Sequence, residues 1–207
     1  MAWIDDQLVA RGVRDERVLE AMRRVPRDAF VPPAARAYAY DDRALAIGSG
    51  QTISQPYMVA AMTEALRLSG TERVLDVGTG SGYQAAVLAE LAREVITIER
   101  RPELAEAART TLEALGYGTI TVIVGDGTLG SPEHAPFDGI VVAAGAPRVP
   151  DALRQQLSRD GGRLVIPVGP PEQQWLVTVT RNGDSFTESR SVGCVFVPLV
   201  GADGWRD

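Results

Sequence analysis

The segment Val74-Leu-Asp-Val-Gly-Thr-Gly-Ser-Gly-Tyr83 decides the fold of this chain. It begins with residues typical of a buried strand, turns on three glycines and continues into a predicted helix over residues 82–92. Glycines at positions 78, 80 and 82 allow the backbone to approach a ligand closely. Because a helix N-terminus also presents unpaired amide groups to an anion, the segment predicts a strand–loop–helix unit that binds a small molecule.

Short apolar runs and helical segments alternate after this loop. The predicted strands cover residues 74–77, 95–98, 120–124, 137–144 and 163–166, and the predicted helices cover 82–92, 102–115 and 151–157. Such alternation builds a parallel sheet with helices on both faces. The fold class predicted for the chain is therefore α/β, with a doubly wound, mostly parallel sheet.

The two ends of the chain differ from this central pattern. Apolar spacing predicts helices over residues 4–25 and 56–68, with an irregular loop over 48–56 between them. Two alternating strands, 174–180 and 185–191, flank the hairpin dipeptide Asn182-Gly183, although the order of the last strands is not determined by the sequence. We expect one domain over residues 1–207, with an N-terminal helical extension (1–70), a core (71–170) and C-terminal antiparallel strands (171–207).

Composition excludes several classes of function. The net charge of -6 argues against nucleic-acid binding, and all 21 basic residues are arginine, so no lysine can form a Schiff base. Because Cys194 and His134 are the only residues of their types, the chain can form neither an internal disulfide nor the usual zinc site. The sequence has no signal-peptide pattern and no membrane-spanning apolar run. We expect a cytoplasmic monomer that uses no metal and binds no membrane.

Two carboxylates narrow the ligand of the glycine loop. Glu99 ends the second predicted strand of the core and Asp126 follows the third, where open α/β sheets bind ligands. A dinucleotide loop has the spacing GxGxxG, whereas the glycines here give GxGxG, which resembles the S-adenosylmethionine loop of class I methyltransferases. That resemblance implies that Glu99 binds the ribose hydroxyls, Asp126 the adenine amine, and Asp76 the methionine end. A tight turn without a ligand is the alternative explanation of the loop.

The loop after the fourth predicted strand bears on the methyl acceptor. Ala143-Ala-Gly-Ala-Pro147 contains no polar side chain that could hold a base amine, and Cys194 lies too far along the chain to serve as its nucleophile. A carboxylate is already ionised at pH 7 and needs no general base. The sequence therefore fits a carboxylate acceptor best.

Further motifs, spread over nearly the whole chain, make it resemble the protein-L-isoaspartate O-methyltransferase family. These motifs are Val25-Pro-Arg27 with Phe30-Val31, Gly50-Gln-Thr-Ile-Ser-Gln-Pro56, the glycine segment 74–83, Gly125-Asp-Gly127, Ala135-Pro-Phe-Asp138, Leu164-Val-Ile-Pro-Val-Gly169 and Phe196-Val-Pro-Leu199. The resemblance implies methylation of the α-carboxylate of L-isoaspartyl residues in damaged proteins. The resulting ester closes to a succinimide, whose hydrolysis returns part of the product to aspartate.

The resemblance also assigns residues. It implies that Ser54 is the active-site residue, which we expect to orient the acceptor carboxylate rather than attack it. The implied cofactor-binding residues are Gln51, Thr52, Ile53, Ser54, Asp76, Gly78, Thr79, Gly80, Gly82, Glu99, Asp126 and Gly127. From local sequence alone, Ser54 is also explained as the N-cap of the following helix. The tail after Leu199 matches no family motif and receives no assigned role.

Two other functions remain open from the sequence. One is a relative that methylates an ordinary aspartate of one specific peptide, and the other is a domain that binds cofactor or a partner without catalysis. A serine hydrolase is disfavoured, because His134 lies in a polar loop and no nucleophile-elbow motif surrounds Ser54.

Overall fold

A seven-stranded sheet forms the centre of the computed structural model, which describes residues 2–206. Its strands are β3 (Arg73–Val77), β4 (Glu94–Glu99), β5 (Thr121–Val124), β6 (Gly139–Val142), β7 (Asp160–Val168), β8 (Gln174–Asn182) and β9 (Ser185–Cys194). Two earlier strands, β1 (Leu45–Gly48) and β2 (Gln51–Ile53), form a separate two-stranded sheet. The α-helices are α1 (Glu16–Arg24), α2 (Pro56–Leu66), α3 (Tyr83–Ala89), α4 (Pro102–Ala114) and α5 (Asp151–Gln155).

The order of the strands places a ligand site at the middle of the sheet. The order is β5-β4-β3-β6-β7-β8-β9, with parallel pairing from β5 to β7 and antiparallel pairing of β7 with β8 and of β8 with β9. The chain therefore moves outward in opposite directions from β3 and from β6. Ligands bind outside the carboxyl ends of strands at such a switch point. The predicted doubly wound sheet with antiparallel C-terminal strands is confirmed.

Alternate residues of the central strands face two separate hydrophobic cores. Val74 on β3 packs into the core formed with the N-terminal segments, α2 and α3, whereas Leu75 packs into the core that contains Phe137 and Leu153. Both β3 residues are fully buried. Burial on both faces explains why the strands are continuous apolar runs.

The helix predicted over residues 4–25 is wrong as a single element. The chain forms a short π-helical turn at Ile4–Leu8 and a 3-10 turn at Val9–Arg11, and Gly12 then adopts a left-handed conformation with φ of 101°. The α1 helix begins only after Asp15, whose carboxylate accepts the amide of Arg17. A left-handed glycine followed by a new N-cap ends one helical segment and begins another.

The irregular loop predicted over residues 48–56 is also wrong in part. β1 and β2 pair as an antiparallel hairpin, and the turn between them contains Ser49 and Gly50, both with positive φ. After the hairpin, α2 ends at Leu66 rather than at residue 68, because Arg67 takes the left-handed conformation. The hairpin brings residues 51–54 towards the central sheet.

Smaller corrections concern the second half of the chain. β7 begins at Asp160, so Gly161 and Gly162 lie within an irregular part of this strand instead of only ending a helix. The helix predicted over 151–157 ends at Gln155, and β8 and β9 extend to Asn182 and Cys194. Within residues 2–206, no helix is long and apolar enough to cross a membrane.

Candidate functional site

The glycine loop after β3 forms the floor of a cleft at the switch point of the sheet. Gly78, Gly80 and Gly82 have φ values of 95°, 54° and 90°, which favour glycine because other residues are strained there. The loop is tied to β4, since the Gly78 amide donates to the Ile98 carbonyl at 2.9 Å. A Cβ at Gly82 would lie 3.2 Å from Leu112 of α4, so this glycine serves close helix packing.

Glu99, at the end of β4, lies beside the loop and borders the cleft. One of its carboxylate oxygens accepts the Gly80 amide at 2.9 Å, and the other accepts the Arg101 amide at 3.0 Å. These two bonds fix the carboxylate at the edge of the cleft. Each carboxylate oxygen has a second lone pair, so the side chain can still accept hydrogen bonds from the hydroxyl groups of a ligand.

Asp76 lies on β3 directly beneath the loop and is fully buried. Its Oδ2 accepts a hydrogen bond from the Thr97 hydroxyl at 2.8 Å, whereas its Oδ1 makes no hydrogen bond with any part of residues 2–206. Burial raises the pKa of Asp76 to about 7; the Thr97 bond opposes this increase and the charge of Glu99 adds to it. An orphaned, buried carboxylate oxygen indicates a ligand that carries a positive charge or a hydrogen-bond donor.

Ser54 follows the β1–β2 hairpin and lies on the wall of the cleft. Its hydroxyl has no hydrogen-bond partner among the described residues. The N-cap of α2 is Gln55, without a side-chain cap bond, and the carboxylate of Asp42 accepts the Tyr57 amide at 3.4 Å. The explanation of Ser54 as a helix cap is therefore wrong, and its hydroxyl can bind another molecule.

Asp126 connects the end of the sheet with the C-terminal tail. Its Oδ1 accepts the amide and the hydroxyl of Thr128, and its Oδ2 accepts the Ala202 amide at 2.7 Å. Burial alone would raise the pKa of Asp126, but the bonds from Ala202 and Thr128 together lower it. Asp126 does not border the cleft, whereas its neighbour Gly127 does. A Cβ on Gly127 would lie 2.5 Å from Val77, so the backbone here must approach β3 closely.

The tail forms a further wall, which the sequence did not assign. Residues 197–200 border the cleft and are fastened to the loop after β6. The Gly145 amide donates to the Val197 carbonyl and the Leu199 amide to the Gly145 carbonyl, both at 2.8 Å. The Trp205 indole donates to the same Gly145 carbonyl at 2.9 Å.

The structure brings most of the predicted residues together around this one cleft. Those that border it are Gln51, Thr52, Ile53, Ser54, Gly78, Thr79, Gly80, Glu99 and Gly127, whereas Asp76, Gly82 and Asp126 lie behind its surface. The lining residues that sequence reasoning missed are Val59, Val77, Ser81, Tyr83, Gln84, Ile98, Arg100, Arg101, Ala143, Ala144 and residues 197–200. Position next to the glycine loop was an available signal for Ser81, Tyr83 and Gln84. No group of His, Cys, Asp and Glu side chains suited to a metal ion occurs within residues 2–206.

Known proteins similar to this chain match it over nearly its whole length. The chain is 61% identical over 206 residues to protein-L-isoaspartate O-methyltransferase 2 of Marinobacter nauticus, covering 99% of this chain and 94% of that protein. A solved structure named protein-L-isoaspartate O-methyltransferase superposes with a TM-score of 0.86 at 28% identity, covering 97% of this chain; this chain spans 66% of that longer one.

A second solved structure is a Plasmodium falciparum protein described as a protein-L-isoaspartate O-methyltransferase, in complex with S-adenosyl-L-homocysteine. It has a TM-score of 0.80 and 25% identity, with 96% of this chain and 97% of that chain covered. The family model for protein-L-isoaspartate(D-aspartate) O-methyltransferase matches residues 3–204. This chain therefore belongs to the protein-L-isoaspartate(D-aspartate) O-methyltransferase family.

Proposed function

We propose that this protein transfers a methyl group from S-adenosylmethionine to the α-carboxylate of L-isoaspartyl residues in damaged proteins and peptides. The observation that carries the proposal is a single cleft that joins the free Ser54 hydroxyl to the glycine loop. The ester formed would close to a succinimide as the backbone nitrogen of the next residue displaces methanol, and hydrolysis of the succinimide would return part of the damaged residues to aspartate. Family membership supports this reaction class.

The residues that border the cleft, together with Asp76 directly behind its surface, fit S-adenosylmethionine. The orphaned Oδ1 of Asp76 suits the ammonium group of the methionine end, and the fixed carboxylate of Glu99 suits the two ribose hydroxyls. Residues 78–80 line the cleft, and the glycines among them let the backbone approach a ligand closely. We further propose that Thr79, Gln51, Thr52 and Ile53 complete the walls around the bound cofactor.

Asp126 is proposed to act at the adenine end of the cofactor. Its carboxylate lies behind Gly127 and is occupied by Thr128 and Ala202. Oδ2 has one remaining lone pair that can accept the adenine amine, and the same carboxylate keeps the tail in place. Both effects favour cofactor binding.

The mechanism assigns positioning and electrostatics to the protein. When bound, S-adenosylmethionine supplies a methyl group on a positively charged sulfur atom. Ser54 donates a hydrogen bond to one oxygen of the acceptor carboxylate and leaves the other free to react. No proton has to be removed, because the acceptor is ionised at neutral pH. Alignment of two reactants of this kind can lower a barrier by roughly 7–11 kcal/mol.

The apolar walls complete the arrangement. Ala143, Ala144 and residues 197–200 border the cleft with apolar side chains, which would limit the hydration of the reacting carboxylate. A less hydrated carboxylate is a better nucleophile, because fewer hydrogen bonds must break before it reacts.

Labelled S-adenosylmethionine and a matched pair of peptides test the proposal. The peptides share one sequence and differ only in an isoaspartyl or an aspartyl linkage. We expect base-labile label on the isoaspartyl peptide alone. Equal labelling of both peptides would instead support a relative that esterifies aspartate, and no labelling would support a binding domain without catalysis.

We also propose that the protein acts as a monomer in the cytoplasm, with segments 1–70, 71–170 and 171–207 working as one unit. The single cysteine, Cys194, supports a reducing compartment. All three segments contribute residues to the cleft of one chain, so no second copy is needed to complete it.

A further inference from the structure

Arg27 is the largest fully buried side chain among residues 2–206 and belongs to a motif to which the proposed reaction gives no role. Its exposed fraction is 0%. Nε donates to the Ala39 carbonyl and Nη2 to the Ser54 carbonyl, both at 2.7 Å. The guanidinium lies over the ring of Tyr83, with its carbon 4.8 Å from the ring centroid. Arg27 thus contacts the N-terminal extension, the Ser54 segment and a residue of the cleft wall.

Burial of this charge is unfavourable for the stability of the fold. Nη1 has no hydrogen-bond partner, and no carboxylate among residues 2–206 lies within ion-pair distance of the guanidinium. Desolvation by burial accordingly lowers the pKa of Arg27. A buried charge without a paired acid costs free energy, and an apolar side chain of similar size would avoid that cost. A residue that is costly to the fold and lies next to the site suggests a role in function.

The bond to Ser54 gives such a role a physical basis. Ser54 lies between β2 and α2, outside any regular element, and its carbonyl is held by Arg27. On the other side, the carboxylate of Asp42 accepts the Gln55 side-chain amide at 3.3 Å and the Tyr57 amide at 3.4 Å. Arg27 therefore holds the Ser54 backbone itself, Asp42 holds the segment that follows it, and the Ser54 hydroxyl is free.

We propose that Arg27 is a positioning residue, which holds the Ser54 backbone so that the Ser54 hydroxyl faces the acceptor carboxylate. This inference rests on the proposed function of Ser54. The planar guanidinium is suited to this position, because its donors lie at fixed angles and reach two carbonyls at once. Tyr83 supports the plane of the guanidinium from the side of the cleft.

Arg181 provides a matched control. It is another buried arginine that donates to backbone carbonyls, those of Gly183, Gln155 and Leu157, and lies over the ring of Phe186. It does not border the cleft. Arg181→Met should therefore alter stability without changing turnover per folded molecule.

The first experiment measures amide hydrogen exchange over residues 51–57 and needs no activity. Arg27→Met should accelerate exchange in this segment, and Arg181→Met should leave it unchanged. Unchanged exchange in the Arg27 variant would overturn the inference even if the isoaspartyl activity is present. Absence of isoaspartyl activity in the unmodified protein would refute the proposed function and leave this measurement intact.

The second experiment is a double-mutant cycle on turnover of the isoaspartyl peptide. Arg27→Met should lower kcat by about 10-fold, because a displaced Ser54 hydroxyl can lose at most the hydrogen bond that it donates to the acceptor carboxylate. With Ser54→Ala already present, the same change should lower kcat by less than about 3-fold, because the group that Arg27 positions is gone. Equal losses in both backgrounds would overturn the inference.

If Arg27→Met does not fold, both experiments can be carried out with Arg27→Lys. The lysine keeps the charge and one donor, so it should recover part of the lost turnover and part of the slow exchange. If exchange and turnover in the lysine variant both equal those of the unmodified protein, a guanidinium that donates to two carbonyls at once is not needed, and the inference is contradicted.

Discussion

Replacing Asp76 with asparagine should stabilise the cofactor-free protein at alkaline pH and weaken its affinity for S-adenosylmethionine. The carboxylate is fully buried, and its Oδ1 has no partner within the described chain. Ionisation in this environment is unfavourable because no positive charge or second donor compensates for the loss of water. An amide of nearly the same shape removes the ionisable group without leaving a cavity.

The size of the effect follows from the two pKa values of Asp76. The pKa of Asp76 is about 7 in the folded protein and 3.8 in the unfolded chain. Between these values the folded state binds a proton that the unfolded state has lost, so stability falls as pH rises. The raised pKa of Asp76 lowers the free energy of unfolding by about 4 kcal/mol at pH 8 and by less than 2 kcal/mol, roughly, at pH 5. The stability advantage of Asp76→Asn should therefore widen by about 3 kcal/mol between pH 5 and pH 8.

Urea unfolding, followed by circular dichroism at both pH values without cofactor, measures this difference. An effect of the amide that does not depend on pH contributes equally at pH 5 and pH 8. The change in the stability difference between the two pH values therefore reports the ionisation of Asp76 alone. Thr97→Val is a companion variant with the opposite sign, because it removes the hydroxyl that stabilises the ionised carboxylate at 2.8 Å. Calorimetric titration with S-adenosylmethionine should show weaker binding to Asp76→Asn despite its greater stability.

A constant stability difference between pH 5 and pH 8 would refute this reasoning. It would mean that Asp76 is already ionised at pH 5 in the folded protein and that Oδ1 has found a donor. Tighter binding of S-adenosylmethionine to the variant would separately refute the assignment of Asp76 to the ammonium group.

Three further substitutions test individual contacts of the cleft. Ser54→Ala should lower kcat for the isoaspartyl peptide by about 10-fold or more while calorimetric cofactor affinity changes little; the reverse pattern would show that Ser54 acts on the cofactor. Asp126→Ala should weaken cofactor affinity about 10-fold, because it removes the acceptor of the Ala202 amide, and unchanged affinity would exclude that role. Gly127→Ala should destabilise the fold by about 1–3 kcal/mol in urea, since its Cβ would lie 2.5 Å from Val77; equal midpoints would contradict the tight packing.

The central sheet was predictable because its signals are local. The apolar run before Gly78 and the glycines after it specify a strand, a turn and a helix within ten residues, and the same alternation recurs along the core. The predictions of secondary structure were wrong where the backbone conformation of one or two residues determines the element. Gly12 divides the first predicted helix, and Ser49 with Gly50 turns a predicted loop into a hairpin.

Some residues of the candidate site likewise have local signals in the sequence, whereas others do not. The glycine loop and Glu99 follow directly from residues adjacent in sequence to strand ends. Arg27, by contrast, meets Ser54 across 27 positions, and residues 197–200 meet the loop after β6 only because β8 and β9 return along the sheet. Such contacts depend on the tertiary fold, and spacing along the chain contains no signal for them.

The wall formed by residues 197–200 has a consequence for protein synthesis. A nascent chain that has released everything up to β8 already contains the glycine loop, Glu99 and Ser54, but its cleft remains open on the side where the tail will lie. We therefore expect full cofactor affinity only after β9 and residues 197–200 have left the ribosome.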